Sequence, residues 1–319
     1  MTHTPDERKL MARLGVIDLG SNSVRLVIYE AKKDLRGSKP FRTLADEKKM
    51  AGLAAYVEAG RFTDAGIARA ADILDGHLGI ARNLDCDRVD IFATAVLRNC
   101  SNSEAAVSTI EEAIGHAIVL LSAEEEAALG LAGARIGQDM GLGTLIDIGG
   151  GSTELTVLAE RRHADKDARS VSLPLGSVSS YAQFVRLVLP DAQECAAISE
   201  HLRSLLADAG LSPAFRHRHF YGIGGSVRAI VKMQAQALAM PAKPARIERS
   251  ALDALFGLLE SDASAFAHAA VKAAPDRVHT LVPGMVIVRT LMAALGGEDV
   301  TVCKYGIREG YLMERMLRG

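Results

Sequence analysis

The sequence predicts an α/β protein composed of two domains of the same type. The chain has 319 residues, of which 49% are apolar and 24% are charged, and this length exceeds what one compact core usually holds. Short apolar runs typical of strands alternate with longer runs at helical spacing, which is the α/β pattern. In addition, one motif with its flanking apolar runs occurs near the N-terminus and again near the middle of the chain.

The repeated motif has the same local pattern in both places. The first copy reads IDLGSNS over Ile17–Ser23 and the second reads IDIGGGS over Ile146–Ser152. In each copy a short apolar run precedes the aspartate, and a second run rich in β-forming residues follows the Gly/Ser turn. Each copy is therefore expected to form a β-hairpin with an aspartate at the end of its first strand.

The remaining elements follow from hydrophobic spacing and capping residues. Helices are expected over 64–84, 103–114, 123–136, 177–187, 191–209, 227–238, 250–259, 283–295 and 307–317. Strands are expected over 89–93, 117–121, 171–173 and 219–223. The domain boundary is expected near 122–130, which gives an N-terminal domain over 1–127 and a C-terminal domain over 128–304. The last helix, at about 305–319, is a candidate for packing back on the first domain.

Composition and charge exclude several functional classes. The 37 basic and 39 acidic residues nearly balance and Trp is absent, so neither a nucleic-acid polymer nor a membrane partner is expected. The start of the chain does not resemble a signal peptide, and no apolar run approaches the ~18 residues of a membrane span. The four cysteines form no CxxC pair, which favours reduced thiols in a cytoplasmic protein. These are Cys86, Cys100, Cys195 and Cys303.

The two Asp-and-glycine hairpins suit phosphate held through a divalent metal. Backbone N–H groups of a glycine turn can converge on an anion because no side chain obstructs them. An aspartate at a strand end can hold Mg²⁺ directly or through water. A single Asp-x-Gly motif is common turn punctuation, but two copies in the same setting favour a functional interpretation. Two such loops on facing domains would hold a phosphate chain from both sides.

Three segments resemble the nucleotide and phosphate loops of the actin-like ATPase and sugar-kinase superfold. They are DLGSNS at Asp18–Ser23, IDIGGGSTE at Ile146–Glu154 and GIGGS at Gly222–Ser226. The combination of the first two is similar to the exopolyphosphatase / guanosine pentaphosphate phosphatase (Ppx/GppA) family. The resemblance implies two actin-like (ribonuclease H-like) domains that face each other across a cleft.

Further segments match this family in order, so the resemblance covers essentially the whole chain. They are ATAVLR at 93–98, LSAEEEA at 121–127, LPLG at 173–176 and GIREG at 306–310. Two positions depart from the family pattern. Ile223 stands where Thr, Ala or Ser is usual, and Cys100 stands where alanine is common. Longer relatives carry an additional helical C-terminal region that helps to hold long chains.

The resemblance implies that Glu126 is the general base that activates the attacking water. Neighbouring residues on a helix diverge by about 100°, so only one of the three consecutive glutamates is expected to point at the substrate. Glu125 is the alternative if the register differs by one, and a solvated acidic helix start is the alternative without a catalytic role. The expected metal ligands are Asp18, Asp147 and Glu154, and the last two also belong to the catalytic set.

Arg98 is the best candidate for a charged phosphate ligand, because a guanidinium fork can meet two phosphate oxygens. Its structural alternative is a surface salt bridge. Arg25 and Arg228 are weaker candidates for added positive charge. The other expected phosphate-binding residues belong to the three loops: Gly20, Ser21, Asn22, Ser23, Gly149, Gly150, Gly151, Ser152, Thr153, Gly224, Gly225 and Ser226.

The resemblance implies an exopolyphosphatase that releases orthophosphate from linear, short-chain polyphosphate with Mg²⁺, or with Mn²⁺ in its place. The sister activity, hydrolysis of guanosine pentaphosphate to the tetraphosphate, uses the same loops and remains an alternative. A kinase of the same superfold and a non-catalytic sensor of polyphosphate or an alarmone are further alternatives. A homodimer is the candidate assembly.

Overall fold

The computed structural model describes residues 11–32, 40–158, 169–211, 213–240 and 245–318. It divides into two compact units, Met1–Gly137 with Ile307–Gly319, and Gln138–Gly306. The division falls after Gly137 rather than after residue 127, because the helix that starts at Ala123 packs within the first unit. The sequence also predicts an exposed hairpin tip over 161–163 with 165–167, and this segment lies outside the described residues.

A five-stranded sheet forms the centre of the first unit, in the order β3-β2-β1-β6-β7. Strands β1 to β3 form an antiparallel meander, and β6 and β7 add in parallel beside β1. Strands β4 and β5 form a separate ribbon. The strands are β1 (Met11–Leu19), β2 (Ser23–Lys32), β3 (Phe41–Met50), β4 (Val57–Glu58), β5 (Arg61–Phe62), β6 (Arg88–Ala93) and β7 (Ile118–Leu120).

The hairpin of β1 and β2 confirms the prediction for the first copy of the motif. The central strand β1 is apolar and mostly buried, because β2 and β6 flank it in the sheet and helices pack over it. Strand β3 was not predicted. Half of the residues in its sequence FRTLADEKKM are charged and most are exposed, so it lacks the apolar alternation that marks a strand. Its pairing with β2 places it in the sheet.

Helices of the first unit begin where capping residues allow. The sequence predicts Thr63 or Asp64 as the cap of α1, and the Thr63 hydroxyl does accept a hydrogen bond from the Gly66 N–H (3.2 Å). For α3 the sequence predicts a cap at Ser101 or Ser103, which is wrong. Asn102 occupies the cap position, and its amide oxygen accepts from the Phe62 N–H (2.8 Å). The helices are α1 (Asp64–Asn83), α2 (Ala95–Arg98), α3 (Ser103–Ile114) and α4 (Ala123–Ala134), with a 3₁₀ turn at Leu53–Tyr56.

The second unit repeats this plan with one additional edge strand. Its sheet has the order β10-β9-β8-β11-β13-β12, in which β8 to β10 form the antiparallel meander and β11 and β13 add in parallel. The strands are β8 (Gly143–Ile148), β9 (Thr153–Leu158), β10 (Ser170–Leu173), β11 (His219–Ile223), β12 (Arg246–Glu248) and β13 (Asp299–Val302). The shared order confirms that one domain type is used twice.

The helices of the second unit differ from the predictions mainly at their ends. The first stops at Phe184, before the expected 187, and the last begins at Val278, before the expected Pro283. The helix Ala263–Ala273 was missed because alanine-rich segments give a weak apolar pattern. The helices are α5 (Ser177–Phe184), α6 (Ala192–Asp208), α7 (Gly225–Ala237), α8 (Arg249–Ser261), α9 (Ala263–Ala273) and α10 (Val278–Leu295), with 3₁₀ turns at Pro213–Phe215 and Pro275–Arg277.

Within the described residues, one helical stretch is long and apolar enough to cross a membrane by length and composition alone. It is Pro275–Leu295, with a mean hydropathy of 1.6, and 72% of it is buried inside the protein. Helix α10 packs against α5, α6 and α7. This helix therefore has the surroundings of a core helix of the second unit.

The C-terminal helix (Ile307–Tyr311, continued by a π-helical turn at Leu312–Leu317) packs against α4 of the first unit. Gly310 faces the backbone of α4 so closely that a Cβ at this position would overlap the carbonyl oxygen of Leu129 and lie 3.0 Å from the Gly133 nitrogen. Because the obstacle is helix backbone, it cannot rotate away. Gly310 therefore fixes the distance between these two helices.

We predict that Gly310→Ala lowers the free energy of unfolding by at least about 2 kcal/mol, because the methyl group forces the two helices apart. The matched control is Gly76→Ala on α1, where a Cβ meets no atom within 4 Å. That change should raise stability by about 0.5–1 kcal/mol, since alanine favours helix more than glycine does. Urea titration followed by circular dichroism measures both. Equal stability of the Gly310→Ala variant and the wild type would contradict the assigned packing.

Candidate active site

The first loop (Gly20–Asn22) joins β1 to β2 at the carboxyl end of β1. The Gly20 N–H donates to the Ser23 carbonyl oxygen (3.2 Å) and closes the turn. The carbonyl of Asn22 accepts from the N–H groups of Ala51 and Gly52, each at 2.9 Å. The side-chain nitrogen of Asn22 is buried and has no hydrogen-bond partner among the residues that the structure describes. Since a buried donor without an acceptor is costly, the loop is suited to an external acceptor such as a phosphate oxygen.

Asp18, at the end of β1, forms an ion pair with Arg308 of the C-terminal helix. The distance from Arg308 Nη1 to Asp18 Oδ2 is 2.8 Å, and the two side chains are 13% and 18% exposed respectively. Burial raises the pKa of Asp18, while the charges of Arg308 and Arg25 oppose that rise. Arg308 had no expected role, although it lies in the GIREG segment, because nothing in the sequence pairs two residues so far apart.

Two further contacts surround this ion pair. The Tyr29 hydroxyl donates to Glu309 Oε1 (2.7 Å), and burial raises the pKa of Tyr29, so the phenol stays protonated. Arg25 lies opposite Asp18 in the β1–β2 ladder. Its guanidinium forms a bidentate pair with Asp46 of β3, at 2.6 and 2.5 Å. The structure therefore places Arg25 in a contact within the sheet.

Glu126 and Arg98 form a second, partly buried ion pair. Arg98 Nη1 lies 2.6 Å from Glu126 Oε2 and also donates to the Leu121 carbonyl oxygen (3.0 Å). The side chains are 16% exposed for Arg98 and 11% for Glu126. Arg98 and Glu126, for which the sequence analysis predicts separate roles, are thus in direct contact. Arg98 does form a salt bridge, but an enclosed one and not the exposed kind considered as its structural alternative.

Glu125 has a different environment from Glu126. Its carboxylate accepts from the Ser122 N–H (3.0 Å) while its own N–H donates to the Ser122 hydroxyl (3.1 Å), which forms a capping box at the start of α4. Its other oxygen accepts from Arg315 Nη2 (2.7 Å). These contacts assign Glu125 to holding the helix start and leave Glu126 as the enclosed carboxylate of the glutamate run.

These residues share one edge of the first sheet. Asp18 and the first loop follow β1, the segment to Arg98 follows β6, and Glu126 follows β7. The three strands are parallel neighbours, so their carboxyl ends meet at the same edge. That edge is where α/β sheets usually bind ligands.

The second loop (Gly149–Ser152) is held by the start of α5. The carbonyl of Gly149 accepts from the Ser177 N–H (3.0 Å), and the carbonyl of Gly150 accepts from the N–H groups of Val178 and Ser179 (2.9 and 3.0 Å). A Cβ at Gly176 would lie 2.5 Å from the Gly150 carbonyl. The LPLG segment thus ends in glycine because a side chain there would displace the loop.

Asp147 and Glu154 stand opposite each other on β8 and β9. Side chains of opposed residues lie on the same face, with Cβ atoms about 5 Å apart. Glu154 is buried, and its Oε1 accepts from the Ser172 hydroxyl (2.9 Å). Thr153 points to the other face, is fully buried and donates to the Leu175 carbonyl (2.6 Å). The structure therefore does not present the Thr153 hydroxyl with the loop, contrary to its expected phosphate-binding role.

The third loop (Gly222–Ser226) passes close over Asp147 at the end of β11. Gly224 has φ +94°, and a Cβ on it would lie 2.8 Å from Asp147 Oδ1. The hydroxyl of Ser226 is buried without a hydrogen-bond partner in the described part of the chain. Arg228 donates to the Gly224 carbonyl through Nε (2.9 Å). Arg228 thus supports the backbone of this loop.

Arg277 is a further residue of this region that the sequence interpretation missed. Its guanidinium lies against Gly225 so closely that a Cβ there would overlap it. It precedes α10 in a 3₁₀ turn and is far from the third loop in sequence, so no local pattern connected the two. An arginine beside the glycines of the third loop adds positive charge where a phosphate is expected.

No group of three or more His, Cys, Asp or Glu side chains within the described part of the chain is arranged to hold a metal ion. The oxygen donors of the second unit that lie together are the carboxylates of Asp147 and Glu154. In the first unit, Asp18 Oδ2 already accepts from Arg308. The pair on β8 and β9 is thus the better candidate for a cation.

Comparison with known proteins identifies the family of this chain. The family model described as the Ppx/GppA phosphatase family matches residues 16–319, which is nearly the whole chain. The chain belongs to the Ppx/GppA phosphatase family. Relatives include Exopolyphosphatase 1 of Mycobacterium tuberculosis, which is 24% identical over 95% of this chain and 88% of that protein. The guanosine-5'-triphosphate,3'-diphosphate pyrophosphatase of Aeromonas hydrophila is 26% identical over 93% of this chain and 58% of its own.

Solved structures of this Ppx/GppA family show the same fold. The Aquifex aeolicus family member superposes with a TM-score of 0.73 at 22% identity, covering 97% of this chain and 98% of that one. An exopolyphosphatase from Cytophaga hutchinsonii gives 0.79 at 19% identity, covering 96% and 98%. The actin-like fold expected from the three loops is therefore confirmed, and the enzymes named among the relatives are phosphoanhydride hydrolases.

We predict that Arg308→Met lowers the free energy of unfolding by about 3 kcal/mol, because Asp18 then stays buried without its cation. The loss should be larger near about pH 8 than near about pH 5. With the cation gone, burial raises the pKa of Asp18 further, so the folded state favours the protonated acid and loses stability as pH rises. Thermal unfolding at both pH values measures this.

The control for this prediction is Arg315→Met, whose partner Glu125 is 40% exposed. That change should cost less than about 1 kcal/mol at either pH, as exposed ion pairs do. An Arg308→Met deficit that is the same at both pH values would show that Asp18 does not depend on this guanidinium.

Proposed function

We propose that the protein hydrolyses the terminal phosphoanhydride bond of linear, short-chain polyphosphate and releases orthophosphate. The observation that carries this proposal is the enclosed Glu126 carboxylate, bound to Arg98 beside the first loop. Hydrolysis of a terminal phosphoryl group needs an oriented water and a cationic group for the phosphate oxygens. The pair supplies a carboxylate and a guanidinium at one edge of one sheet. Membership of the Ppx/GppA family supports this use of them.

In this reaction Glu126 orients the attacking water and accepts its proton. The water oxygen forms a bond to the terminal phosphorus, and the anhydride bond to the next phosphate breaks. The electrons of that bond remain on the shortened polyphosphate chain. Arg98 holds Glu126 in place and presents further N–H groups to phosphate oxygens, since a guanidinium has five donors.

The second unit has groups of its own that are suited to phosphate. Backbone N–H groups of the second and third loops, the Ser226 hydroxyl and the Arg277 guanidinium are suited to phosphate oxygens. Asp147 and Glu154 fit Mg²⁺, or Mn²⁺ in its place, because such ions accept one or two carboxylates and complete their shell with water and phosphate oxygens. When bound, such an ion neutralises phosphate charge. Asp18 fits this role less well, since Arg308 already holds one of its oxygens.

Guanosine pentaphosphate is the second candidate substrate. A relative named for hydrolysis of guanosine-5'-triphosphate,3'-diphosphate matches 93% of this chain. We favour polyphosphate because the Mycobacterium relatives named exopolyphosphatase align over a larger share of their own length, 88% against 58%. Both substrates end in a phosphoanhydride, so Glu126 and Arg98 have the same role with either. We propose a cytoplasmic location for this reaction.

We predict that the purified protein with Mg²⁺ releases phosphate faster from short polyphosphate than from guanosine pentaphosphate, long polyphosphate or ATP. Initial rates at equal concentrations of terminal phosphate measure this preference, and chelation of the metal with EDTA should abolish release. Faster release from guanosine pentaphosphate would assign the sister activity. Transfer of phosphate to an added acceptor in place of water would indicate a kinase. Binding of either substrate without turnover would indicate a sensor.

We predict that Glu126→Gln loses ~10²–10⁴-fold in kcat, because an amide cannot accept the proton from water. The matched control is the neighbouring Glu125→Gln. A glutamine at that position can still accept from the Ser122 N–H in the capping box, so its kcat should stay within about twofold of wild type. Phosphate release at saturating substrate measures both, with thermal unfolding to confirm that each variant folds. An active Glu126→Gln and an inactive Glu125→Gln would reverse the assignment.

A further inference from the structure

A cavity of about 960 Å³ lies between α6, α8 and α10 of the second unit. None of the glycines of the second and third loops lines it, so it is separate from the candidate active site. Its volume is at the upper end of the roughly 300–1,000 Å³ range of small-molecule sites. The side chains that matter here are Leu189, Cys195, Ser199, Phe256, Leu259 and Arg289.

Arg289 is the feature that sets this cavity apart. It interrupts the buried apolar positions of α10, and its guanidinium carbon lies 3.5 Å from the centre of the Phe256 ring. Within the residues that the structure describes, its guanidinium forms no ion pair and no hydrogen bond. Its guanidinium therefore has no counter-ion among these residues, and its planar fork is shaped for a carboxylate or phosphate group.

The residues that line the cavity restrict the kind of anion that could pair with Arg289. Leu189, Leu259 and the alanines at 192 and 196 give it apolar sides. Asp191, Glu200 and Glu260 also line it, and all three are exposed. Their charges would repel a chain of phosphates. A single negative group at Arg289 is compatible with them, because Arg203 pairs with Glu200 (3.5 Å) and Arg186 pairs with Asp191 (3.3 Å).

We propose that this cavity binds an organic anion with one negatively charged head group and an apolar body. The head group pairs with Arg289, where it satisfies N–H donors that lack an acceptor among the described residues. The body lies against the alanine face of α6 and the leucines at 189 and 259. This site is independent of the proposed hydrolase activity, since no residue assigned to that activity lines it.

The test compares three probes that share an apolar chain and differ in the head group: octanoate, octanol and octylammonium. Benzoate adds an anion with a different body. Isothermal titration of the wild-type protein should show octanoate or benzoate binding at least about tenfold more tightly than octanol, as a charged hydrogen-bonded pair would give. Octylammonium should bind more weakly still. Equal affinities for octanoate and octanol, or tighter binding of octylammonium, would overturn the proposal.

Two variants locate the binding. Arg289→Gln should remove the preference of octanoate over octanol, and it should fold because it breaks no ion pair. Ala196→Phe fills the cavity and should remove binding of both probes. The control is Arg218→Gln, an exposed arginine paired with Glu298 (2.7 Å) outside the cavity, which should leave all affinities unchanged. Binding that survives Ala196→Phe, a preference that survives Arg289→Gln, or no binding of octanoate and benzoate below about 10 mM would each refute the site.

Discussion

Close backbone contacts that leave no room for a side chain hold the candidate site residues of each unit in place. In the first unit, Gly310 lets the C-terminal helix meet the backbone of α4, the helix that carries Glu126. In the second unit, Gly176 lets the start of α5 donate hydrogen bonds to the carbonyls of the second loop. Backbone cannot change rotamer as a side chain does, so these contacts fix the positions of the loops more firmly than side-chain packing would.

The enclosed charges at the candidate site of the first unit are paired, and the pairs connect elements distant in sequence. Asp18 at the first loop meets Arg308 of the C-terminal helix, and Glu126 meets Arg98. Enclosing an unpaired charge costs several kcal/mol, so each pair restricts the position of both elements that it joins. The ion pair at Asp18 thus contributes to the same helix position that the close contact of Gly310 determines. Packing and electrostatics specify one arrangement of the first unit.

Much of the fold could be predicted from the sequence because its signals are local. The two hairpins, the helix over 103–114 and the strand over 219–223 follow from apolar periodicity and turn residues alone. Strand β3 could not be predicted, because it is charged and exposed and depends on β2 as a template. The sequence predicts a start of α10 at Pro283, which is too late, because the helix begins at Val278 and continues through this proline.

The candidate site also contains features that the sequence predicts and features that it does not. Each loop is one short continuous segment of the sequence, and so is the glutamate run. Their residue types and spacing therefore indicate phosphate chemistry without the structure. Which of Glu125 and Glu126 is enclosed depends on which of them forms the capping box with Ser122. The sequence does not show this, because either register is compatible with it. Arg277 and Arg308 act on loops that are far from them along the chain. Only the tertiary structure brings such partners together, so sequence spacing gave no signal for either.

The two hairpins also show how one scaffold provides two electrostatic environments. In both, the residue opposite the aspartate at the end of the first strand points to the same face of the sheet. In the first unit that residue is Arg25, and Arg308 adds a second cation near Asp18, so the carboxylate is neutralised by the protein itself. In the second unit that residue is Glu154, which places a second carboxylate beside Asp147. The same register therefore places a cationic side chain opposite the aspartate of the first hairpin and a carboxylate opposite the aspartate of the second, and this difference rests on a single position of the ladder.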